Sequence, residues 1–244
     1  MDILYGKNPV LEALRAGRPA RKVVVATGVR DEARLREILD RAAAAGVPVE
    51  ETARRRLDDI THTEHHQGVA GYFHARPSLR LDELLAQARA PALFLVLDGI
   101  QDPHNLGALA RTADAAGVDG IVLARDRATA VTPAAVKASA GALEHVAVCT
   151  VPNLAAALAQ LGDARMWRVG LDAEASTRYD AFDYTSPTAL VVGAEGEGLR
   201  TLTRKRCDAL VRLPMMGRVE SLNAAVAGGL LMYEAARQRG FTER

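Results

Sequence analysis

The sequence predicts an α/β fold in which a small block precedes a larger one built on a mostly parallel sheet. Three observations predict it. Beyond Pro91, apolar runs of strand length alternate with stretches of helical periodicity. The same alternation occurs on a shorter scale before residue 76. Between the two, RPSLRLDELLAQARAP is polar and bracketed by prolines, the composition of a connecting segment. The expected division is therefore a first domain over 1–75, a linker over 76–90 and a second domain over 91–244.

The elements follow in order. NPVLEALRAG reads as an amphipathic helix stopped by Gly17, KVVVAT as a strand, DEARLREILDRAAAAG as a second helix and VPVE as a short strand. The linker has room for one short helix. The second block opens with strand LFLVLD, a helix capped at Asn105, strand GIVLA, a helix from Pro133 to Ala140, strand HVAVCTV and helix NLAAALAQLG. Strands MWRVGLD, ALVVGA and DALVRLP come next, and a long helix from Ser221 to about Gln238 closes the block. Alternation alone describes an open, doubly wound sheet whose ligands bind beyond the carboxyl ends of the strands.

Composition narrows the function classes. With 31 Lys+Arg against 30 Asp+Glu in 244 residues, the chain has no global polycationic character, so any nucleic-acid surface must be local. The run Arg54-Arg55-Arg56 is one candidate. Cys149 and Cys207 form no CxxC pair, which argues against a zinc or disulfide framework and suits a reducing cytoplasm. No apolar run approaches the roughly 20 residues that span a bilayer. His62, His65 and His66 in THTEHHQG have helical spacing but no accompanying cysteine, so no metal is expected.

Three segments combine polar residues with chain geometry suited to a site. In LDGIQDPHNLGALARTADAAG a strand ends at Asp98 and a turn leads into a helix carrying Arg111, with Asn105 at its start. ALVVGAEGEGLR has the glycines of a ligand cradle, yet Glu195 sits where a phosphate loop would hold its anion. LPMMGRVESLNAAVAGG enters a helix through Ser221 and Asn223, and its Gly228-Gly229 pair requires close contact with another backbone or a partner subunit. The chain lacks GxGxxG followed by an acidic ribose anchor, which weakens an NAD-dependent oxidoreductase as the reading.

Together DPHNLGALARTADAAG, VVGAEGEGL and LPMMGRVESLNAAVAGG resemble the three ordered motifs of the SpoU (TrmH-type) RNA ribose 2′-O-methyltransferases. VTPAAVKASAGALEHV looks like the central stretch of that family, and YGKNPVLEAL with HHQGVAG resembles its N-terminal RNA-binding extension. The two-domain layout is closest to the bacterial enzymes that methylate a guanosine in the P loop of 23S rRNA. The resemblance implies a SPOUT-type α/β domain with a deep trefoil knot, preceded by a small ribosomal-protein-like RNA-binding domain. It implies S-adenosylmethionine as cofactor, 23S rRNA as partner and a homodimer formed through the catalytic domain. Other rRNA sites or tRNA are the alternative targets, and a non-catalytic RNA-binding protein is the alternative from a different class.

Residue by residue, the resemblance implies catalytic roles for Asn105, Arg111, Glu195, Ser221 and Asn223. It implies cofactor contacts at Gly193, Gly196, Leu213, Met215, Gly217 and Leu222. RNA contacts are expected near Lys7, Asn8, Arg15, Arg54, Arg55 and Arg56.

Overall fold

The computed structural model describes residues 1–30, 32–76, 78–125, 128–219 and 221–241. Asp31 of the second expected helix and Pro77 of the expected linker lie outside the described residues. The chain forms two compact units, one of residues 1–77 with 131–145 and one of residues 78–130 with 146–244.

The chain begins with β1 (Asp2–Tyr5), α1 (Lys7–Arg15), β2 (Ala20–Ala26), α2 (Ala33–Ala44), β3 (Val49–Thr52), α3 (Arg54–Thr61) and β4 (Val69–Phe73). It continues with α4 (Leu81–Gln87), β5 (Leu93–Asp98), α5 (Pro103–Ala115), β6 (Gly120–Ala124), α6 (Pro133–Ala138), β7 (Ala147–Val151), α7 (Leu154–Asp163) and β8 (Trp167–Leu171). The remaining elements are β9 (Thr177–Arg178), β10 (Thr188–Gly193), α8 (Thr201–Arg206), β11 (Ala209–Arg212) and α9 (Ala224–Gln238).

In the first unit a four-stranded sheet has the order β1-β4-β2-β3, parallel only between β2 and β3. Two of its strands, β1 and β4, are absent from the sequence reading. β1 is only four residues long, and β4 carries Gly71, which reads as a strand breaker. Gly71 is there for packing: a Cβ at this position would lie 2.5 Å from the Phe73 ring, which folds back over the backbone. His66 has a structural use, its buried ring accepting the Gly68 N–H at Nδ1 (2.8 Å) and meeting Asp58 through Nε2 (2.8 Å).

The stretch 131–145, expected inside the second domain, packs with the first unit. Helical spacing identifies α6 but is silent on which sheet the helix covers. Ala135, Val136, Ala142 and Leu143 are buried, and Gly141 turns at φ +95 where a Cβ would strike the Glu12 side chain at 2.5 Å. Polar ties reinforce the packing. Arg18 donates to Glu144 at 2.8 Å while also reaching Asp2, and the His145 ring meets Glu12 at 2.8 Å. Burial pushes the Glu144 carboxyl above its usual range, even though Arg18 and Arg76 both favour its ionised form.

The second unit carries a seven-stranded sheet of order β7-β6-β5-β10-β8-β11-β9, with every pairing parallel. The expected linker from Ser78 onward belongs to this unit. Leu81 and Leu84 of α4 are buried in its core beside Phe94, Val96 and Val122, and Gly120 leaves the space that Leu84 fills, a Cβ there lying 2.5 Å from Leu84 Cδ1. From β5 the chain builds outward to β6 and β7 on one side, whereas β10 and β8 lie on the other. That makes the carboxyl ends of β5 and β10 a topological switch point, where the two neighbouring loops diverge and leave a crevice.

Because Glu144 and Arg18 are both almost fully buried, Glu144→Ala removes one anionic partner from a guanidinium that keeps Asp2 and the His74 carbonyl. The variant is expected to lose about 2–3 kcal/mol of stability, read as a lower denaturant midpoint at unchanged slope; a wild-type midpoint contradicts this account of 131–145.

Candidate functional site

The crevice is built by three loops of the second unit. The first joins β5 to α5. Asp102 caps the helix, its side chain accepting the His104 N–H at 2.9 Å, with Pro103 in the first turn. Asn105 is therefore not the cap expected from the sequence; it lies within the first turn, and its amide is free to point outward. The signal for this was the Asp-Pro pair, since proline at the first helical position favours a cap immediately before it.

The second loop, 194–200, leaves β10 and folds back on itself. Ala194 and Gly198 exchange backbone hydrogen bonds at 3.2 and 2.9 Å. A Cβ on Gly193 would lie 2.2 Å from the Gly198 carbonyl, so the loop needs a glycine here to close. Gly196 and Gly198 supply positive φ angles of 79 and 66° with open space around them.

The third loop, 213–223, runs from β11 into α9. Asn223, not Ser221, caps this helix: its Oδ1 accepts the N–H groups of Ala225 (2.9 Å) and Val226 (3.3 Å). Its Nδ2 is then directed away from the helix and donates to Asn105 Oδ1 (2.9 Å) and Glu195 Oε2 (3.2 Å). Asn105 Nδ2 donates to the same Glu195 oxygen at 3.3 Å. One residue from each loop thus enters a single amide–carboxylate cluster.

Beside the cluster lies a cavity of about 180 Å³ that opens to solvent. Leu171, Val192, Leu213, Leu222 and Ala227 give it apolar walls, while Glu195, Asp172 and Ser221 bring polar groups to it. Gly193, Gly196 and Met215 also line it. Gly217 does not, and it stands in open space with nothing packed at its Cβ position. The loops 194–200 and 213–223 both contribute to this cavity.

Arg111 stands apart. It is exposed on α5, six residues beyond Asn105, which places it about 9 Å further along the axis and about 120° round the helix. It has no hydrogen bond or ion pair among the described residues. The cysteines supply no nucleophile: burial raises the Cys149 thiol and pushes Cys207 up to about 12.

The helix glycines behave differently from each other. A Cβ on Gly228 would meet Leu109 at 2.6 Å, so Gly228 lets α9 settle on α5. Gly229 meets only Thr112, at an ordinary 3.5 Å, and lines an apolar groove with Ala108, Val226, Leu230 and Tyr233.

In the first unit the basic candidates divide. Lys7 pairs with Glu32 at 2.6 Å, and Arg15 with Glu12 at 2.8 Å and Glu37 at 2.7 Å. Asn8 borders a hollow shared with Glu12, Arg15, Arg34 and Glu37. Arg54, Arg55 and Arg56 occupy the first turn of α3, are exposed, and have no ion pair among the described residues.

Comparison with known proteins agrees with this layout. Residues 92–233 match the model of the SpoU rRNA methylase family, and residues 3–79 match that of the RNA 2′-O ribose methyltransferase substrate-binding domain. A protein of Mycolicibacterium vanbaalenii described as an uncharacterized tRNA/rRNA methyltransferase is 44% identical over 98% of this chain and 77% of its own length. YacO of Bacillus subtilis, described within the TrmH family of tRNA/rRNA methyltransferases, is 41% identical over 98% of this chain and 96% of its own. Among solved structures, AviRb of Streptomyces viridochromogenes in complex with AdoMet superposes with a TM-score of 0.83 at 28% identity, over 98% of this chain and 91% of that one. An AdoMet-bound rRNA methyltransferase of Sinorhizobium meliloti gives 0.79 at 28% identity, over 97% and 87%. The fold is thus the SPOUT-type α/β class preceded by a small α/β unit. With one family model matched over more than half of its residues and relatives above 40% identity along nearly its full length, the chain belongs to the SpoU rRNA methylase family.

Proposed function

We propose that this protein transfers a methyl group from S-adenosylmethionine to the ribose 2′-hydroxyl of a guanosine in the peptidyl-transferase P loop of 23S rRNA, acting in the cytoplasm. The observation that carries the reading is the Asn105–Glu195–Asn223 cluster beside the cavity of the second unit. Methylation by this family uses S-adenosylmethionine. The residues present fit it: apolar walls at Val192, Leu213 and Leu222 suit the adenine faces, and the Glu195 carboxylate suits a cation or a ribose hydroxyl. When bound, the cofactor supplies an electrophilic methyl group on a positively charged sulfur.

The protein's part is alignment and charge. In-line transfer requires the 2′-oxygen, the methyl carbon and the sulfur to be held near one axis. Glu195 Oε2 is fixed by two amides, which sets the carboxylate rigidly at the mouth of the cavity. Ser221 and Asn223 position the loop that covers it. Arg111 is assigned to grip the target phosphate and to stabilise negative charge developing on the 2′-oxygen; a guanidinium stays protonated and is a poor acceptor for the hydroxyl proton.

The same reading gives the chain a homodimeric form. Val226, Leu230 and Tyr233 are exposed on α9 beside Ala108 and Thr112 of α5, and a second copy covering this face would satisfy both the apolar surface and Gly229. RNA affinity is assigned to the first unit, with Arg54–Arg56 as phosphate contacts. A tRNA or another rRNA site is the second reading, favoured by the description of the relatives as tRNA/rRNA methyltransferases.

Two outcomes follow. Arg111→Ala is expected to bind S-adenosylmethionine with wild-type affinity by titration calorimetry while single-turnover methylation falls about 10²–10³-fold; wild-type turnover contradicts the assignment. Replacing Arg54, Arg55 and Arg56 together by Gln is expected to weaken rRNA binding and to reduce the slope of log affinity against log salt by about 2–3. An unchanged slope contradicts it.

A further inference from the structure

Outside the cavity wall, one fully buried charge has no part in the chemistry above. Asp98 ends β5 with its carboxylate 0% exposed. Among the described residues its partners belong to Arg200: Oδ2 accepts the Arg200 backbone N–H at 2.9 Å, and Oδ1 accepts Nε at 2.5 Å and also meets Nη2. A carboxylate is taken out of water only where strong partners replace its hydration, so this position is built for one purpose.

That purpose is visible in what Arg200 and Asp98 enclose. Asp98 is the ladder partner of Gly193, the last residue of β10. Arg200 is the residue that follows the turn and precedes α8. The loop 194–199 therefore departs beside the Asp98 backbone and returns to the Asp98 side chain, so both of its ends are held by one residue of the neighbouring strand. Between them the loop is shaped by the Ala194–Gly198 pairing and tethered at Glu195 by two amides, and it carries two glycines at positive φ, a backbone with high freedom if its ends are released. Glu195 rides on that loop.

We infer that Asp98 is a positioning residue for the proposed methyl transfer: with Arg200 it clamps the loop 194–199 and thereby sets where Glu195 meets Asn105 and Asn223. Asp98 does not line the cavity and touches no reacting group; it acts through the loop. The positioning role rests on the methyl-transfer reading of the cavity, whereas the clamp itself does not.

The test uses the full chain and three variants, Asp98→Asn, Arg200→Gln and Arg200→Lys. Arg200 is 41% exposed, so its variants change no side-chain volume within the sheet, and each keeps the backbone N–H that Asp98 Oδ2 accepts. Amide hydrogen exchange of the protein alone is expected to accelerate about tenfold over 194–199 in Asp98→Asn and Arg200→Gln, with β5 and β10 protected as in the wild type. S-adenosylmethionine is expected to bind about ten- to a hundredfold more weakly in both, and the two changes combined to cost little more than either alone. Arg200→Lys is expected to recover part of the affinity, because an ammonium reaches one carboxylate oxygen but lacks the planar fork.

Loop exchange and affinity within roughly twofold of wild type in both variants overturn the inference. So does a loss of affinity accompanied by uniform loss of protection through β5 and β10, which makes Asp98 a residue of global stability. A wild-type protein that takes up no S-adenosylmethionine, while both variants still loosen the loop, overturns the methyl-transfer reading and the positioning role with it, and leaves the clamp standing.

Discussion

Asn223 spends its two ends on different tasks, and the site depends on their being joined in one side chain. The oxygen caps α9, taking the N–H groups of Ala225 and Val226, and the nitrogen reaches Asn105 and Glu195. The start of the last helix and the polar centre of the crevice therefore cannot be displaced independently. Anything that seats α9 more firmly also seats the cluster. Gly228 does so by letting Leu109 of α5 approach the helix backbone, and the Arg239 guanidinium does so at the other end, donating to the carbonyls of Tyr184 and Ser186.

The parallel sheet supplies the frame on which this works. β5 and β10 are adjacent, so the loops that leave their carboxyl ends begin side by side, at Asp98 and Gly193. β11 lies two strands away from β10, yet the chain returns from it through 213–223 to place α9 against α5. Three segments distant in sequence are brought to one crevice by strand order and a single helix packing, and their polar groups meet there. Rigid elements carry the three groups, Asn105 in a first helical turn, Asn223 at a cap, Glu195 in a loop closed by its own backbone pairing, which is how a site keeps its geometry before a ligand arrives.

Much of this was legible in the sequence because it rests on local chemistry. The strands of the large sheet appear as short apolar runs, and glycines with one carboxylate distinguish 193–198 from a phosphate loop. Asn105, Glu195 and Asn223 stand out through the resemblance of their three segments to the SpoU motifs. What was not legible depends on tertiary placement. Periodicity marks α6 as a helix but contains nothing that assigns 131–145 to the first unit. β1 and β4 are too short, and one too glycine-containing, to register as strands. The cap of α5 reads as Asn105 when the most prominent polar residue is taken, whereas the residue before the proline, Asp102, fills that place. Asp98 gave no sign, since an aspartate at the end of a strand looks like a turn residue until Arg200 is found opposite it.

On the proposed reading, the crevice serves methyl transfer to a ribose oxygen of RNA. The most direct test of that reading is incubation of the protein with 23S rRNA and S-adenosylmethionine carrying a deuterated methyl group, followed by nuclease digestion and mass spectrometry of the nucleosides and of P-loop fragments. The account predicts the label on the 2′-oxygen of a guanosine, within the P-loop fragment. Label on a nucleobase, or none on rRNA or tRNA with the wild-type protein, would contradict it.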